Sequence, residues 1–310
     1  MEKYIIKRNS IMINRLLDFL ETSYTAYHAV ENAKQLLLGN GFIALSETDD
    51  WAIEEGGKYF VERNGSSLVA FTVGALDDFF FKIVASHTDS PALKLKENAV
   101  TLAGPYAKLN AETYGGGIYY SFFDRPMKIA GRVVTNENGV LKSETATSEY
   151  FVTVPSLAVH MNRSVNDGFA VNPQIDLLPL FALTDGETAP DFLVGLTEKT
   201  PVAYDLYVVN ADKPYLFGLN NEFAASPRID NLTSVWSSLE SLAAHAPSGG
   251  VCVAACLDNE EVGSQTLQGA GGDLLENVLR RIAYALKFDD NEYYKALASS
   301  FLISLDNAHA

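Results

Sequence analysis

Four places along the chain put metal-type ligands just past an apolar run or at the start of a helical pattern: His87 with Asp89, Asp230, Glu260 with Glu261, and Asp306. In SHTDSP, His87 and Asp89 are two apart, so in extended backbone their side chains face the same way. The carboxylate can then hold the imidazole in the tautomer that leaves one ring nitrogen free for a metal. Glu260 and Glu261 follow VCVAACLDN. Adjacent side chains leaving a strand point apart, which lets one acid bind a metal while the other addresses water. A metal draws the pKa of its water down to about 7, and a nearby carboxylate can take the proton as the oxygen attacks a carbonyl.

Each of these residues also has an ordinary structural role open to it. His87 and Asp89 also read as a strand-end histidine beside a solvated aspartate, and Glu260–Glu261 as a solvated acidic turn. Asp230, in SPRIDN, suits a helix N-cap as well as a ligand, and Asp306, after FLISL, suits a strand-end carboxylate bound to backbone amides. Convergence favours chemistry, because strand ends on the carboxyl side of an open α/β sheet share one rim. One histidine with several carboxylates suits two divalent ions about 3.5–4 Å apart. Zinc is the first choice, and oxygen-rich ligation also admits manganese or cobalt.

The elements that must position these residues follow an α/β rhythm. Helical periodicity runs from Asn14 to Leu38 and stops at Gly39 and Gly41, with strand patterns at Lys58 to Arg63 and Ser67 to Val73. The run FFFKIVAS, Phe79 to Ser86, predicts a buried strand ending at His87. From about Lys94 to Asn221 the texture changes to short alternating segments such as KIAGRVVT and YFVTV, set off by Gly, Asn and Pro. This predicts a β-rich domain over 94–221, inserted into an α/β domain made of 1–93 and 222–310. The later part predicts a helix from Asp230 to His245, a buried strand from Gly250 to Leu257, a helix from Asp273 to Lys287 and a last buried strand from Ser299 to Asp306.

Composition removes several classes of function. A net charge of −16 disfavours electrostatic capture of nucleic acid or of an anionic membrane surface. The N-terminal MEKYIIKRNSIMINRLLDFL reads as an amphipathic helix, because polar residues interrupt it and no small-residue cleavage site follows. No run approaches the roughly 18 apolar residues of a membrane span. The two cysteines, Cys252 and Cys256, lie in the apolar VCVAACL and read as small buried hydrophobes, consistent with a reducing cytoplasm.

Taken in order, ASHTDSPALKLK, YGGGIYYSFFDRPMKIAGRV, VPSLAVHMNR, NEFAASPRIDN, LDNEEVGS and ISLDNAHA resemble the M18 aspartyl aminopeptidases, across nearly the whole chain. The resemblance implies a zinc-exopeptidase-like mixed sheet flanked by helices, with the inserted β-rich domain serving dimerisation and higher assembly. It implies that His87, Asp230, Glu261 and Asp306 bind two metal ions, Asp230 bridging them, with Glu260 as general base and Asp89 orienting His87. Similar enzymes remove N-terminal Asp or Glu from peptides and assemble as homododecamers, and His160 in LAVHMNR matches a histidine that reaches a neighbouring subunit's active site. From composition alone, His160 reads as an ordinary β-domain histidine. Family members continue for more than a hundred residues past the AHA motif, and that further segment, not His309 of AHA, supplies a last histidine ligand, so a C-terminally shortened chain is expected here. The second expectation is therefore a catalytically silent fragment. A deacylase or glutamyl aminopeptidase of another metallopeptidase family fits NEFAASPRIDN and YGGGIYYSFFDRP less well.

Overall fold

The computed structural model describes residues 2–246 and 249–309, with side chains from residue 11 onward. The chain divides into two compact units, residues 1–90 with 214–310, and residues 91–213. The first unit opens with helices α1 (Glu2–Thr22) and α2 (Ala26–Gly39), then strands β1 (Ile43–Leu45), β2 (Lys58–Arg63), β3 (Ser67–Val73) and β4 (Phe81–His87). The single periodicity expected from Asn14 to Leu38 is thus two helices. Thr25 takes an extended backbone at the break and its hydroxyl pairs with Nδ1 of His28 at 2.9 Å. The amphipathic reading of the first residues concerns side chains that lie outside the described residues.

The second unit holds β5 (Ala92–Ala103), β6 (Tyr106–Tyr114), β7 (Met127–Glu137), β8 (Val140–Thr147), short helices α3 (Val165–Gly168) and α4 (Pro173–Asp176), β9 (Leu180–Leu183) and β10 (Ala203–Asn210). Its strands form one antiparallel sheet in the order β8-β7-β10-β5-β6-β9. Inward-facing Leu93, Leu109, Ile129, Val133, Leu206 and Val208 build its core by period-two alternation. Gly131 is required where β7 meets β10, since a Cβ there would sit 2.2 Å from the carbonyl oxygen of Asp205.

The chain then returns to the first unit through β11 (Tyr215–Phe217), β12 (Phe223–Ala225), α5 (Ile229–Ala244), β13 (Val251–Leu257), α6 (Leu274–Ala285), α7 (Asp290–Ala298) and β14 (Phe301–Ser304). Its mixed sheet has the order β1-β2-β3-β13-β4-β14, and β13, β4 and β14 run parallel to one another. Helices cover both faces, which is why β3 and β13 are nearly continuous apolar runs. Val69, Phe71 and Val73 of β3 pack with α6 and α7 on one face, while Leu68 and Ala70 pack with α1, α2 and α5 on the other.

The last strand corrects an expectation. The apolar pattern predicts a buried strand, but Phe301, Leu302 and Ile303 are 52, 50 and 48 % exposed, because β14 is an edge strand with β4 as its sheet neighbour among the described residues. Apolar composition identifies a strand without revealing how many neighbours it has.

Candidate metal centre

The three parallel strands deliver their carboxyl ends to one place. His87 is the last residue of β4, Glu260 and Glu261 lie in a short 3-10 turn after β13, and Asp306 follows β14. Asp230 arrives from the first turn of α5. It is not the N-cap, a position held by Arg228 in the left-handed region, and its own backbone (φ −79°, ψ 115°) departs from the helix so that the carboxylate turns aside. The Asp230–Asn231 peptide is cis.

Ligand atoms of His87, Asp230 and Asp306 all lie within 4.8 Å of one another. From Nε2 of His87, Oδ1 of Asp230 is 3.3 Å away, Oε2 of Glu260 is 3.8 Å and Oδ1 of Asp306 is 3.9 Å. His87 is buried, whereas the side chains of Asp230, Glu260 and Asp306 are 57, 51 and 61 % exposed. The carboxylates therefore form a rim above a fixed imidazole. Glu261 joins this arrangement through its backbone, and its carboxylate is outside the three-residue cluster. His160 lies in the second unit, in an exposed turn.

Asp89, only 4 % exposed, organises the base of the site. Its carboxylate faces Nδ1 of His87 at 3.3 Å, and its backbone carbonyl is 3.1 Å from the same nitrogen. With Nδ1–H directed there, Nε2 is the ring nitrogen left facing Asp230 and open to a metal. The Asp89 carboxylate also accepts the backbone N–H groups of Glu260 and Glu261, each at 3.2 Å. One side chain thus ties the end of β4 to the acidic turn after β13. The sequence pattern pointed to the first of these contacts but gave no sign of the second, which exists only once two strands are paired.

Charges are crowded here. Burial pulls the His87 pKa down, but the hydrogen bond and charge of Asp89, with the charges of Glu260 and Asp230, outweigh it and hold the ring up at about 9. Burial and the neighbouring Asp306 raise the carboxyl of Asp230, with His87 opposing. Carboxylates this close repel unless a cation or a proton lies among them. One imidazole nitrogen and several carboxylate oxygens form a donor set that zinc accepts and that manganese or cobalt would also accept. The residues present fit a divalent metal.

Four further residues, Ser90, Asn231, Thr233 and Asn307, were not anticipated from the sequence. The hydroxyl of Ser90 donates to the carbonyl of Asp230 at 2.9 Å. Asn231, fully buried, donates to the carbonyl of Leu305 at 2.8 Å, and Asn307 donates to the carbonyl of Ile229 at 2.9 Å. An aliphatic-Asp-Asn tripeptide recurs at 229–231, 257–259 and 305–307, a signal that marks the ends of these elements but does not by itself pick out which asparagines meet.

A mixed α/β sheet with an imidazole and carboxylates at the carboxyl ends of its parallel strands has the layout of a metal-dependent hydrolase. The family model described as aminopeptidase I zinc metalloprotease (M18) matches residues 19–310, and the chain belongs to that family. It is 40 % identical over 310 residues to the probable M18 family aminopeptidase 2 of Clostridium acetobutylicum, covering 96 % of this chain and 72 % of that protein. Among solved structures it matches a chain of the Ape4 and Nbr1 complex, with a TM-score of 0.88 and 34 % identity over 96 % of this chain and 63 % of that one. It also matches the yeast mApe1 dodecamer, with a TM-score of 0.78 and 25 % identity, covering 96 % of this chain and 72 % of that one. The chain therefore spans roughly two thirds of the length of its relatives, 63 to 72 % in these three cases. Among the described residues no helix is long and apolar enough to cross a membrane.

Proposed function

We propose that this chain carries the catalytic core of an aminopeptidase that removes N-terminal acidic residues, Asp or Glu, from peptides. The observation that carries the proposal is the meeting of His87, Asp230 and Asp306 at the common end of β4, α5 and β14. In this reading His87, Asp230, Glu261 and Asp306 would hold two divalent ions, zinc first among the candidates. When bound, the ions supply Lewis acidity that acidifies water and polarises a peptide carbonyl.

The protein's own groups do the rest. Asp89 keeps His87 in the tautomer and orientation that present Nε2 to the carboxylates. Glu260, half-exposed and 3.8 Å from that nitrogen, accepts a proton from water as its oxygen adds to the carbonyl carbon. It returns the proton to the amine nitrogen as the peptide bond breaks. The hold of Asp89 on the backbone of Glu260 keeps the base at the rim.

The preference for acidic residues rests on likeness to aspartyl aminopeptidases, as do three further points: assembly into a homododecamer through the second unit, entry of His160 into a partner's site, and cytoplasmic location. The dodecameric state of yeast mApe1 supports the assembly reading. Hydrolysis of an N-terminal aspartyl peptide, beside a leucyl one, by metal-loaded wild type and Glu260→Gln tests the proposal. Metal-dependent aspartyl cleavage that falls by about 100-fold or more in the variant is expected, given the size of general-base contributions. A folded, metal-loaded wild type that cleaves neither substrate would reject it and favour the catalytically silent reading.

A further inference from the structure

Two of the candidate ligands are each followed by asparagine, in Ile229-Asp230-Asn231 and Leu305-Asp306-Asn307. The two tripeptides clasp each other reciprocally. Asn231 Nδ2 donates to the carbonyl of Leu305, the residue before Asp306, at 2.8 Å. Asn307 Nδ2 donates to the carbonyl of Ile229, the residue before Asp230, at 2.9 Å, and to Oδ1 of Asn231 at 3.0 Å. The hydroxyl of Thr233, one turn along α5, lies 2.8 Å from Oδ1 of Asn307 and 2.9 Å from the carbonyl of Ile229, and its single proton, when given to Asn307, sets which way that amide faces. The backbone N–H of Asn307 donates to Oδ1 of Asp306 at 2.8 Å and fixes the carboxylate's rotamer.

Each segment is also tied to β4 or the loop after it, Leu305 N–H donating to the carbonyl of Ala85 at 2.8 Å and the Ser90 hydroxyl to the carbonyl of Asp230 at 2.9 Å, but neither bond runs between the two aspartate segments. Asp306 leaves an exposed edge strand, and Asp230 sits in the irregular first turn of α5. Their ligand atoms lie within 4.8 Å of each other in the cluster with His87, and two carboxylates that close repel. Beyond Leu305 the clasp is what opposes that repulsion, since both carboxylates are more than half-exposed. Through its side chain, Asn307 bonds on both sides of Asp230 while its backbone holds Asp306.

We propose that Asn307, oriented by Thr233 and reciprocated by Asn231, is a positioning residue that sets the Asp230–Asp306 separation and thereby the affinity of this site for a divalent metal. The inference rests on the metal-centre reading above. Asn307 touches no reacting atom, and acts through the two aspartates.

The test is calorimetric titration of the metal-free protein with zinc, together with the visible spectrum of the cobalt-loaded protein, for wild type, Asn307→Ala, Thr233→Val and Thr233→Ser. Asn307→Ala should weaken zinc binding by roughly 10- to 100-fold, the usual range for a residue that orients a ligand, and shift the cobalt bands. Thr233→Val should weaken it less, and Thr233→Ser, which keeps the hydroxyl, should return it to near the wild-type value. Should Asn307→Ala fail to fold, the contrast between Thr233→Val and Thr233→Ser decides the matter alone. Wild-type zinc affinity and an unchanged cobalt spectrum in Asn307→Ala, or equal affinities in the two Thr233 variants, would overturn the inference and leave the metal centre standing. A folded wild type that binds no zinc would overturn both.

Discussion

Asp89→Asn is the most informative single substitution, because it keeps the shape of the side chain and removes only its charge and one acceptor. Asp89 is 4 % exposed and accepts the N–H groups of both Glu260 and Glu261 at 3.2 Å. An asparagine oxygen can keep one of these bonds. Its NH2 group then opposes the other N–H, leaving a donor without its acceptor at a cost of about 1–3 kcal/mol. The surviving bond loses its charge assistance, which adds about 1 kcal/mol. The sum is a loss of roughly 2–4 kcal/mol from the first unit, present without any metal. Both tryptophans, Trp51 and Trp236, belong to that unit, so urea unfolding followed by tryptophan fluorescence in a chelator reads it selectively. A lowered midpoint at unchanged slope is expected, together with zinc affinity reduced by roughly 10- to 100-fold. A variant that matches wild type in both midpoint and zinc affinity would refute the role given to Asp89.

Two other perturbations probe how the first unit is held together. The Arg63 side chain, 10 % exposed, forks onto Glu47 at 2.9 and 2.5 Å and reaches Asp273 at 2.5 Å and the Leu267 carbonyl at 3.1 Å. Arg63→Lys, which cannot satisfy that fork, should cost about 1–2 kcal/mol in the same unfolding assay. His28 is held down to about 4 by burial first and the Arg228 charge second, below its ordinary 6.5. The unfolded chain therefore takes up the proton first: stability is full above pH 6.5 and falls as the pH drops toward 4, by roughly 3 kcal/mol over the window. Comparing unfolding midpoints at about pH 7 and 4.5, His28→Gln should show a smaller acid-side drop than wild type, and an equal drop would refute this assignment.

The sequence made some of this legible and hid the rest for physical reasons. β3, β4 and β13 are readable because a strand covered on both faces is largely apolar, and β4 ends on His87. That the ends of β4, β13 and β14 share one rim follows from their parallel pairing. No residue pattern specifies that pairing. The break between α1 and α2 at Ser23–Thr25 was hidden because the apolar periodicity runs straight across it. Helix α7 was missed although Asp289 and Glu292 form a capping box, a signature visible in the sequence. The second role of Asp89 and the mutual hold of Asn231 and Asn307 join segments far apart in sequence, 171 and 76 residues in two of the bonds, and local reading cannot reach them.

The meeting of His87, Asp230 and Asp306 is tested most directly by diffraction from zinc-soaked crystals at wavelengths on either side of the zinc absorption edge. An anomalous peak about 2.0–2.2 Å from Nε2 of His87 and from carboxylate oxygens of Asp230 and Asp306 is predicted. Zinc bound elsewhere while this cluster stays intact and empty would contradict the assignment of a metal centre.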